Sequence, residues 1–105
     1  MGCLTKDLEL KSAEADFGEG PVTIYYRRMN LLEIDIIEKA RPKGSVEVVF
    51  VTLVTRARED NGLKMFDIKK DRQKILSQFD PGEVARVIQL FKESDAEEMA
   101  EAGNS

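Results

Sequence analysis

The side chains that carry most protein chemistry are scarce in this sequence of 105 residues, which has no histidine and a single cysteine, Cys3. Without histidine, the chain cannot form a serine triad or a cysteine–histidine pair, and it lacks the commonest ligand of transition metals. One cysteine allows neither an internal disulfide nor a multi-cysteine metal site. The 20 acidic residues are scattered along the chain. We therefore expect no catalytic residue, no metal site and no cofactor.

Two short motifs resemble ligand-binding loops without their essential residues. Glu59-Asp60-Asn61-Gly62 resembles part of a calcium loop, but the first ligand would fall at Ala57, which has no side-chain oxygen. Gly18-Glu19-Gly20 lacks the third glycine and the Lys-Ser/Thr pair of a phosphate loop. We interpret the first motif as a turn and the second as a break between ordered segments.

Charge and hydropathy restrict the classes of partner. The net charge of −4 disfavours nucleic acid, and no apolar run approaches the 18 residues that a membrane span needs. Met1-Gly2-Cys3 fits an acylation signal poorly because position 6 is Lys6 rather than serine or threonine. The basic residues predict either a solvated helix face or a docking surface for an acidic partner, and their clusters are Arg27-Arg28, Arg56 with Arg58, and Lys69-Lys70 with Arg72 and Lys74.

The elements that must position any site fit one small domain of α+β class, mainly α. We expect a short N-terminal antiparallel β pair and then about four helices in a small bundle. The predicted boundaries are a compact domain at 1–94, with the β pair in 7–28 and the helical part in 30–93, followed by an acidic mobile tail at 95–105.

Alternation predicts the two strands. Asp7–Lys11 places Leu8 and Leu10 on one face, and Val22–Arg27 is β-branched and aromatic. The segment 12–21 between them reads as a loop of about ten residues, rich in acidic and small side chains. Because an isolated strand pair is marginal in water, we expect it to pack on the helices.

Capping signals predict three of the helices. Asn30 and Glu33 have the spacing of a capping box, Asp67 is a candidate cap for a helix over 67–78, and Asp80-Pro81-Gly82-Glu83 signals a further helix start. In the helix over 67–78, the residues expected to point inward are Ile68, Ile75, Leu76 and Phe79.

Residues 45–58 are ambiguous from pattern alone. Their β-branched content favours a strand, whereas their length and one apolar stripe favour a helix capped by Ser45. That stripe consists of Val46, Val49, Phe50, Leu53 and Ala57.

The order of these parts resembles the tail assembly chaperones of long-tailed bacteriophages, small proteins encoded ahead of the tape measure protein. The matching pieces, over about residues 20–105, are Val22–Arg28, the helix opening Asn30-Leu31-Leu32-Glu33, the turn Glu59–Asp67, the helix from Asp80 and the tail ending Ala102-Gly103-Asn104-Ser105. The sequence departs from the family pattern at Gly103, where a lysine is usual, and at Asp67, where threonine or serine is common. The resemblance favours a helix for 45–58.

The resemblance implies binding rather than catalysis. A chaperone of this kind coats the apolar, helical tape measure protein in the host cytoplasm, helps to recruit tail tube subunits, associates with itself and is absent from the mature virion. The alternatives are a structural tail or head–tail connection protein, or an unrelated small cytoplasmic adaptor. From the predicted third and fourth helices we choose Phe66, Leu90 and Phe91 as the candidate residues of an apolar partner-binding groove.

Overall fold

The computed structural model describes the backbone of residues 10–104 and the side chains of residues 10–97. Within these residues the chain forms two antiparallel strands followed by four α-helices, which confirms the predicted α+β, mainly α fold. The elements are β1 (Lys11–Asp16), β2 (Pro21–Tyr26), α1 (Leu31–Ala40), α2 (Ser45–Arg56), α3 (Arg72–Gln78) and α4 (Pro81–Asn104), with a 3₁₀ turn at Arg41–Lys43. No helix in this part of the chain is long and apolar enough to cross a membrane.

The β pair is confirmed, but β1 lies further along the chain than predicted. It begins at Lys11 and occupies residues 12–16, which were assigned to the loop, while residues 7–9 of the predicted strand lie outside the described part. Its inward face consists of the partly buried Ala13 and the buried Ala15, small residues that give a weak strand signal. The connection is only four residues long, because the Asp16 carboxylate accepts backbone N–H bonds from Gly18 and Gly20.

Helix α1 begins as the capping signal predicted. The backbone N–H of Glu33 donates to Asn30 Oδ1 at 2.9 Å, and the N–H of Asn30 donates to Glu33 Oε1 at 3.0 Å. Both ends of the capping box are therefore formed, and two N–H groups that a helix start leaves unpaired are satisfied.

Helix α2 settles the ambiguous segment in favour of a helix, and its burial explains the ambiguity. Every residue from Phe50 to Arg56 is buried, so the helix has no solvated face in its second half. A helix covered on all sides loses the amphipathic pattern and resembles a buried strand in sequence. The predicted cap at Ser45 is wrong: the N-cap residue is Gly44, at φ 110°, and no side chain caps the helix.

Helix α3 begins five residues later than predicted. The carboxylate of Asp67 accepts from the N–H groups of Lys69 and Lys70, and the N–H of Asp67 donates to Asp71. These local bonds hold residues 67–71 in a turn and compete with a helix start there. Ile68, predicted to point inward, is consequently exposed.

Helix α4 begins at Pro81 as predicted, but without the predicted capping box. The N–H of Asp80 donates to the Phe17 carbonyl at 2.9 Å, and the Glu83 carboxylate accepts from the N–H of Asp16 at 2.9 Å. Both groups thus tie α4 to the β pair rather than to each other. The helix continues through Asn104, across most of the segment 95–105 predicted as a tail; whether that segment is mobile stays a prediction.

Candidate functional site

The three residues predicted to bind a partner do not line one groove. Phe91 is 1% exposed and packs against Tyr26 and Arg56 in the core, so it offers no surface to a partner. Leu90 is half-buried on α4. Phe66 is half-buried and lines a shallow depression beside Met65 and the exposed Ile68. Partner binding by Phe66 and Leu90 stays a prediction.

A mostly apolar cleft lies between α2, α3 and the start of α4, with a volume of about 280 Å³. Nine of its ten lining residues are apolar, and we call it the apolar cleft. Three of them reach well into solvent: Val46 is 67% exposed, Val49 40% and Leu76 42%. The lining consists of Ser45, Val46, Val49, Phe50, Ile75, Leu76, Phe79, Pro81, Val84 and Ala85. Large side chains are thus left against water at the rim of a preformed groove.

An ion pair and an aromatic contact hold the α3 wall of the apolar cleft. Arg72 donates to both carboxylate oxygens of Glu47, at 3.0 and 2.6 Å, and its guanidinium lies 4.9 Å from the centre of the Phe50 ring. The hydrogen bonds from Arg72 hold the pKa of the Glu47 carboxyl below its ordinary value. A helix of only seven residues is marginal alone, so these contacts fix the position of Leu76.

A cluster of three aromatic rings forms the base beneath α3. Phe79 packs face to face on Phe17 at 4.7 Å between ring centres, and Phe66 meets both rings edge-on. Phe17 lies in the short connection between the strands, within the segment that the sequence analysis predicted as a loop. Its burial fixes the β pair against the end of α3.

The sequence analysis did not predict the exposure of the cleft residues. It placed Val46 and Val49 on one apolar stripe of a helix and predicted that Leu76 of α3 points inward, yet all three are exposed. The available signal was an excess of apolar residues: α2 is apolar on more faces than the helices predicted around it can cover.

A second apolar feature projects from the start of α1. Leu31 is 84% exposed and Leu32 68% exposed, and we call this pair the Leu31–Leu32 knob. It borders an open depression that Arg28, Met29 and Asp95 also line. The capping box fixes the backbone of the knob, so these two leucines are held at the surface by ordered structure.

Most of the predicted basic clusters turn inward or pair with nearby acids. Arg27 and Arg58 donate to the Glu33 carboxylate, and Arg56, buried beneath α4, donates to both oxygens of Asp95 at 2.7 and 3.0 Å. The interpretation of Arg56 and Arg58 as a solvated face or an acidic docking surface is therefore wrong. These ion pairs join β2, α1, α2 and α4 around two carboxylates.

Two carboxylates with lowered pKa values predict how stability depends on pH. Burial raises the pKa of Glu33, but the Asn30 N–H together with Arg27 and Arg58 outweighs it, so the pKa lies below its ordinary value. The hydrogen bond from Arg86, aided by the N–H of Asp16, lowers the pKa of Glu83 to about 2. A lowered folded-state pKa gives stability that is complete above the ordinary pKa and lost as pH falls through the folded value. The melting temperature should therefore stay level from pH 8 to about 5 and fall below about 4.5.

Circular dichroism melts of wild type and Glu83→Gln would check this prediction. The variant should melt lower than wild type at neutral pH and should lose less stability on acidification, because one of the carboxylates with a lowered pKa is gone. Glu14→Gln, an exposed carboxylate on β1, is the matched control and should follow wild type. Parallel acid curves for wild type and Glu83→Gln would contradict the assignment.

Within the described part of the chain, the apolar cleft therefore offers a surface on which an apolar partner could dock. Around the apolar cleft, the carboxylates of Glu47 and Glu83 are already engaged by arginines, and the only polar lining residue is Ser45. A cleft of this kind suits the apolar face of a helix, with anchors every three or four residues. Comparison with protein families, with curated protein sequences and with solved structures gives no match to this chain.

Proposed function

We propose that this chain is a non-enzymatic tail assembly chaperone of a long-tailed bacteriophage, which binds the tape measure protein and helps to recruit tail tube subunits. The observation that carries the proposal is the apolar cleft, with Val46, Val49 and Leu76 exposed at its rim. A second support for the proposal is that the sequence motifs follow one another in the same order as in the chaperone family.

The cleft matches what such a client needs. An apolar helical chain that waits for a tube to form around it exposes surface that aggregates. A helix that places side chains at positions i, i+3 or i+4, and i+7 in the apolar cleft would exchange that surface for contacts with α2, α3 and α4. Contacts repeated along one long client allow each to be weak, because a bound neighbour raises the effective concentration.

Client binding can be tested with two substitutions at the cleft rim. Val46→Asp and Leu76→Asp each place a charge where an apolar anchor would dock, and each should weaken binding by about 30-fold, the loss of roughly one buried side chain. The measurement is titration calorimetry with a soluble helical segment of the tape measure protein that the proposal assigns as the client. Because both residues are exposed, the melting temperature should change little.

The matched control is Leu63→Asp, which places the same charge on an exposed apolar residue outside the cleft and away from Phe66's depression. It should bind the segment as wild type does. If all three variants bind equally, the apolar cleft is not the client site; if wild type fails to bind, the chaperone proposal itself fails. Mass spectrometry of purified virions distinguishes a chaperone from the alternative, a structural tail or head–tail connection protein. The chaperone should be absent from the virions, whereas the connection protein should be present.

A further inference from the structure

The hairpin around Asn61-Gly62 extends the β pair on the side away from β1. Residues 57–59 pair with β2 through two backbone hydrogen bonds between Arg58 and Tyr25, at 2.8 and 2.9 Å. Residues 63–65 pair in turn with 57–59 through two more, at 2.8 and 3.1 Å. Within the described residues, 63–65 is therefore the outermost segment on this side of the sheet.

Lys64, at the centre of this outermost segment, has backbone groups without a partner. Arg58 and Lys64 face each other as a non-hydrogen-bonded antiparallel pair, since the two bonds join their neighbours in the chain. In such a pair each residue directs its N–H and C=O away from the other. Arg58 thus bonds Tyr25, whereas the N–H and C=O of Lys64 point outward and bond no group in the described part of the chain.

At the opposite edge of the sheet, side chains of α4 bond the outward-facing backbone of β1. The N–H of Asp16 donates to the Glu83 carboxylate at 2.9 Å, and Arg86 donates to the Glu14 carbonyl at 2.8 Å. Covering an edge in this way prevents it from pairing with another chain. The uncovered edge at Lys64 is a place where an extended peptide can add a strand.

The shallow depression that Phe66 lines lies directly beside this edge, and we call the depression and the edge residues 63–65 the edge groove. The depression has a volume of about 690 Å³ and lies between α1, α2 and the segment 64–71. That volume is within the range of pockets that hold ligands. Its apolar lining residues are Ile36, Val54, Met65, Phe66 and Ile68. A peptide strand paired with Lys64 would therefore run along a surface that accepts an apolar side chain.

Charge complementarity favours an acidic ligand. Lys64, Lys69 and Lys70 are exposed at the edge groove, and none of them has an ion-pair partner within the described residues. The two acids of the same segment are engaged by its backbone. The Asp67 carboxylate accepts from the N–H groups of Lys69 and Lys70 at 2.8 and 2.7 Å, and Asp71 accepts from the N–H of Asp67 at 2.7 Å. Three ammonium groups are thus available to a carboxylate of the ligand.

We propose that the edge groove binds an extended peptide segment of another protein by strand addition, with an acidic residue opposite Lys64 and an apolar residue on each side of it. The acidic residue exchanges two backbone hydrogen bonds with Lys64 in an antiparallel pair. Side chains directly opposite each other lie on the same face of a sheet. One apolar residue therefore lies opposite Met65 at the depression, and the other lies opposite Leu63, which is 64% exposed.

This site differs from the apolar cleft in position and in the kind of ligand. The two surfaces have no lining residue in common. The cleft suits the apolar face of a helix, whereas the edge groove requires an extended backbone whose own N–H and C=O are free to pair. The inference does not depend on the proposed function, and each can fail without the other.

A nuclear magnetic resonance titration of the isotope-labelled full chain tests the site. The probe is a synthetic peptide with blocked ends, Thr-Ser-Val-Glu-Val-Ser-Thr. On saturation the Lys64 amide should shift, and its hydrogen should exchange with solvent at least about tenfold more slowly because it gains an acceptor. The amides of Val46 and Leu76 in the apolar cleft should not shift. A Lys64 amide unchanged at millimolar peptide, or shifts confined to the cleft, would overturn the inference.

Two altered peptides distinguish strand pairing from simple charge attraction. Methylation of the amide nitrogen of the central glutamate removes the donor to the Lys64 carbonyl and should weaken binding about tenfold. Replacement of the central glutamate by lysine places like charges opposite each other and should weaken binding about fivefold. A methylated peptide that binds as tightly as the parent would contradict strand addition.

A charge exchange tests the residue opposite the glutamate. Lys64→Glu should weaken binding of the glutamate peptide about fivefold and should bind the lysine peptide more tightly than wild type does. Lys92→Glu makes the same change at an exposed lysine of α4 and should bind both peptides as wild type does. Thermal melts check that both variants keep the fold. If Lys64→Glu and Lys92→Glu bind the two peptides alike, Lys64 does not face the acidic residue and the inference fails.

Discussion

Phe91→Ser should remove most of the stability of this protein. The ring is 1% exposed and packs 5.0 Å from the Tyr26 ring, and the Arg56 guanidinium lies over it at 5.0 Å. Truncating a buried phenylalanine costs about 3–5 kcal/mol, and serine adds an unpaired hydroxyl. A domain of this length is stable by roughly 5–15 kcal/mol. Urea unfolding followed by circular dichroism should therefore show the midpoint of Phe91→Ser far below that of wild type.

Leu90→Ser is the matched control, because Leu90 precedes Phe91 on the same helix and is only half-buried. It should shift the midpoint by much less than Phe91→Ser. Equal shifts for the two variants would place Phe91 outside the core and contradict the structure. A double Leu90→Ser/Phe91→Ser variant would lose binding by unfolding, so it cannot test a partner surface; Val46→Asp and Leu76→Asp can.

Local signals in the sequence predicted local structure well. The Asn30–Glu33 capping box formed as expected because its bonds join residues three apart, and Pro81 began α4 because its fixed φ suits a first helical turn. The strand β1 was predicted too early in the chain because Ala15 and the partly buried Ala13 are covered by their position against the helices rather than by their own hydrophobicity.

Long-range contacts determine which partners the carboxylates bind, and the local sequence pattern does not predict them. Glu33 was identified as one half of a capping box, but nothing in the local pattern indicated that Arg58, 25 residues away, would share its carboxylate. The Glu83 carboxylate was likewise predicted to accept from the N–H of Asp80, but it accepts from the N–H of Asp16, 67 residues away. Such choices depend on which elements meet in the fold.

The candidate site was the least predictable part for the same reason. The apolar cleft combines side chains from three helices, and its exposure depends on where α3 begins and how Arg72 anchors it to Glu47. Periodicity placed Val46 and Val49 on one apolar stripe and predicted that Leu76 points inward. It could not show that the neighbouring elements stop short of covering them.

Asp95→Ala should be the most damaging substitution among the charged residues. The side chain of Arg56 is only 2% exposed, and Asp95 supplies two of its hydrogen bonds, leaving the Arg27 carbonyl and the Phe91 ring when it is lost. Removing one partner of a buried ion pair strands the other charge and costs about 3–5 kcal/mol. Asp95 itself is 23% exposed, so water offsets part of this cost. We expect a loss of about 3 kcal/mol in the free energy of unfolding.

The nearby Glu97→Ala, an exposed position on the same helix, is the control and should be nearly neutral. A second comparison isolates the stranded charge: Arg56→Met/Asp95→Ala removes both partners and should be more stable than Asp95→Ala alone, since no buried guanidinium is left unpaired. If Asp95→Ala behaves like Glu97→Ala, Asp95 belongs to the solvated tail that the sequence predicted from this residue onward. If it behaves as we expect, α4 is fastened to α2 one residue beyond the predicted end of the compact domain, and Arg56 is the buried charge that requires it.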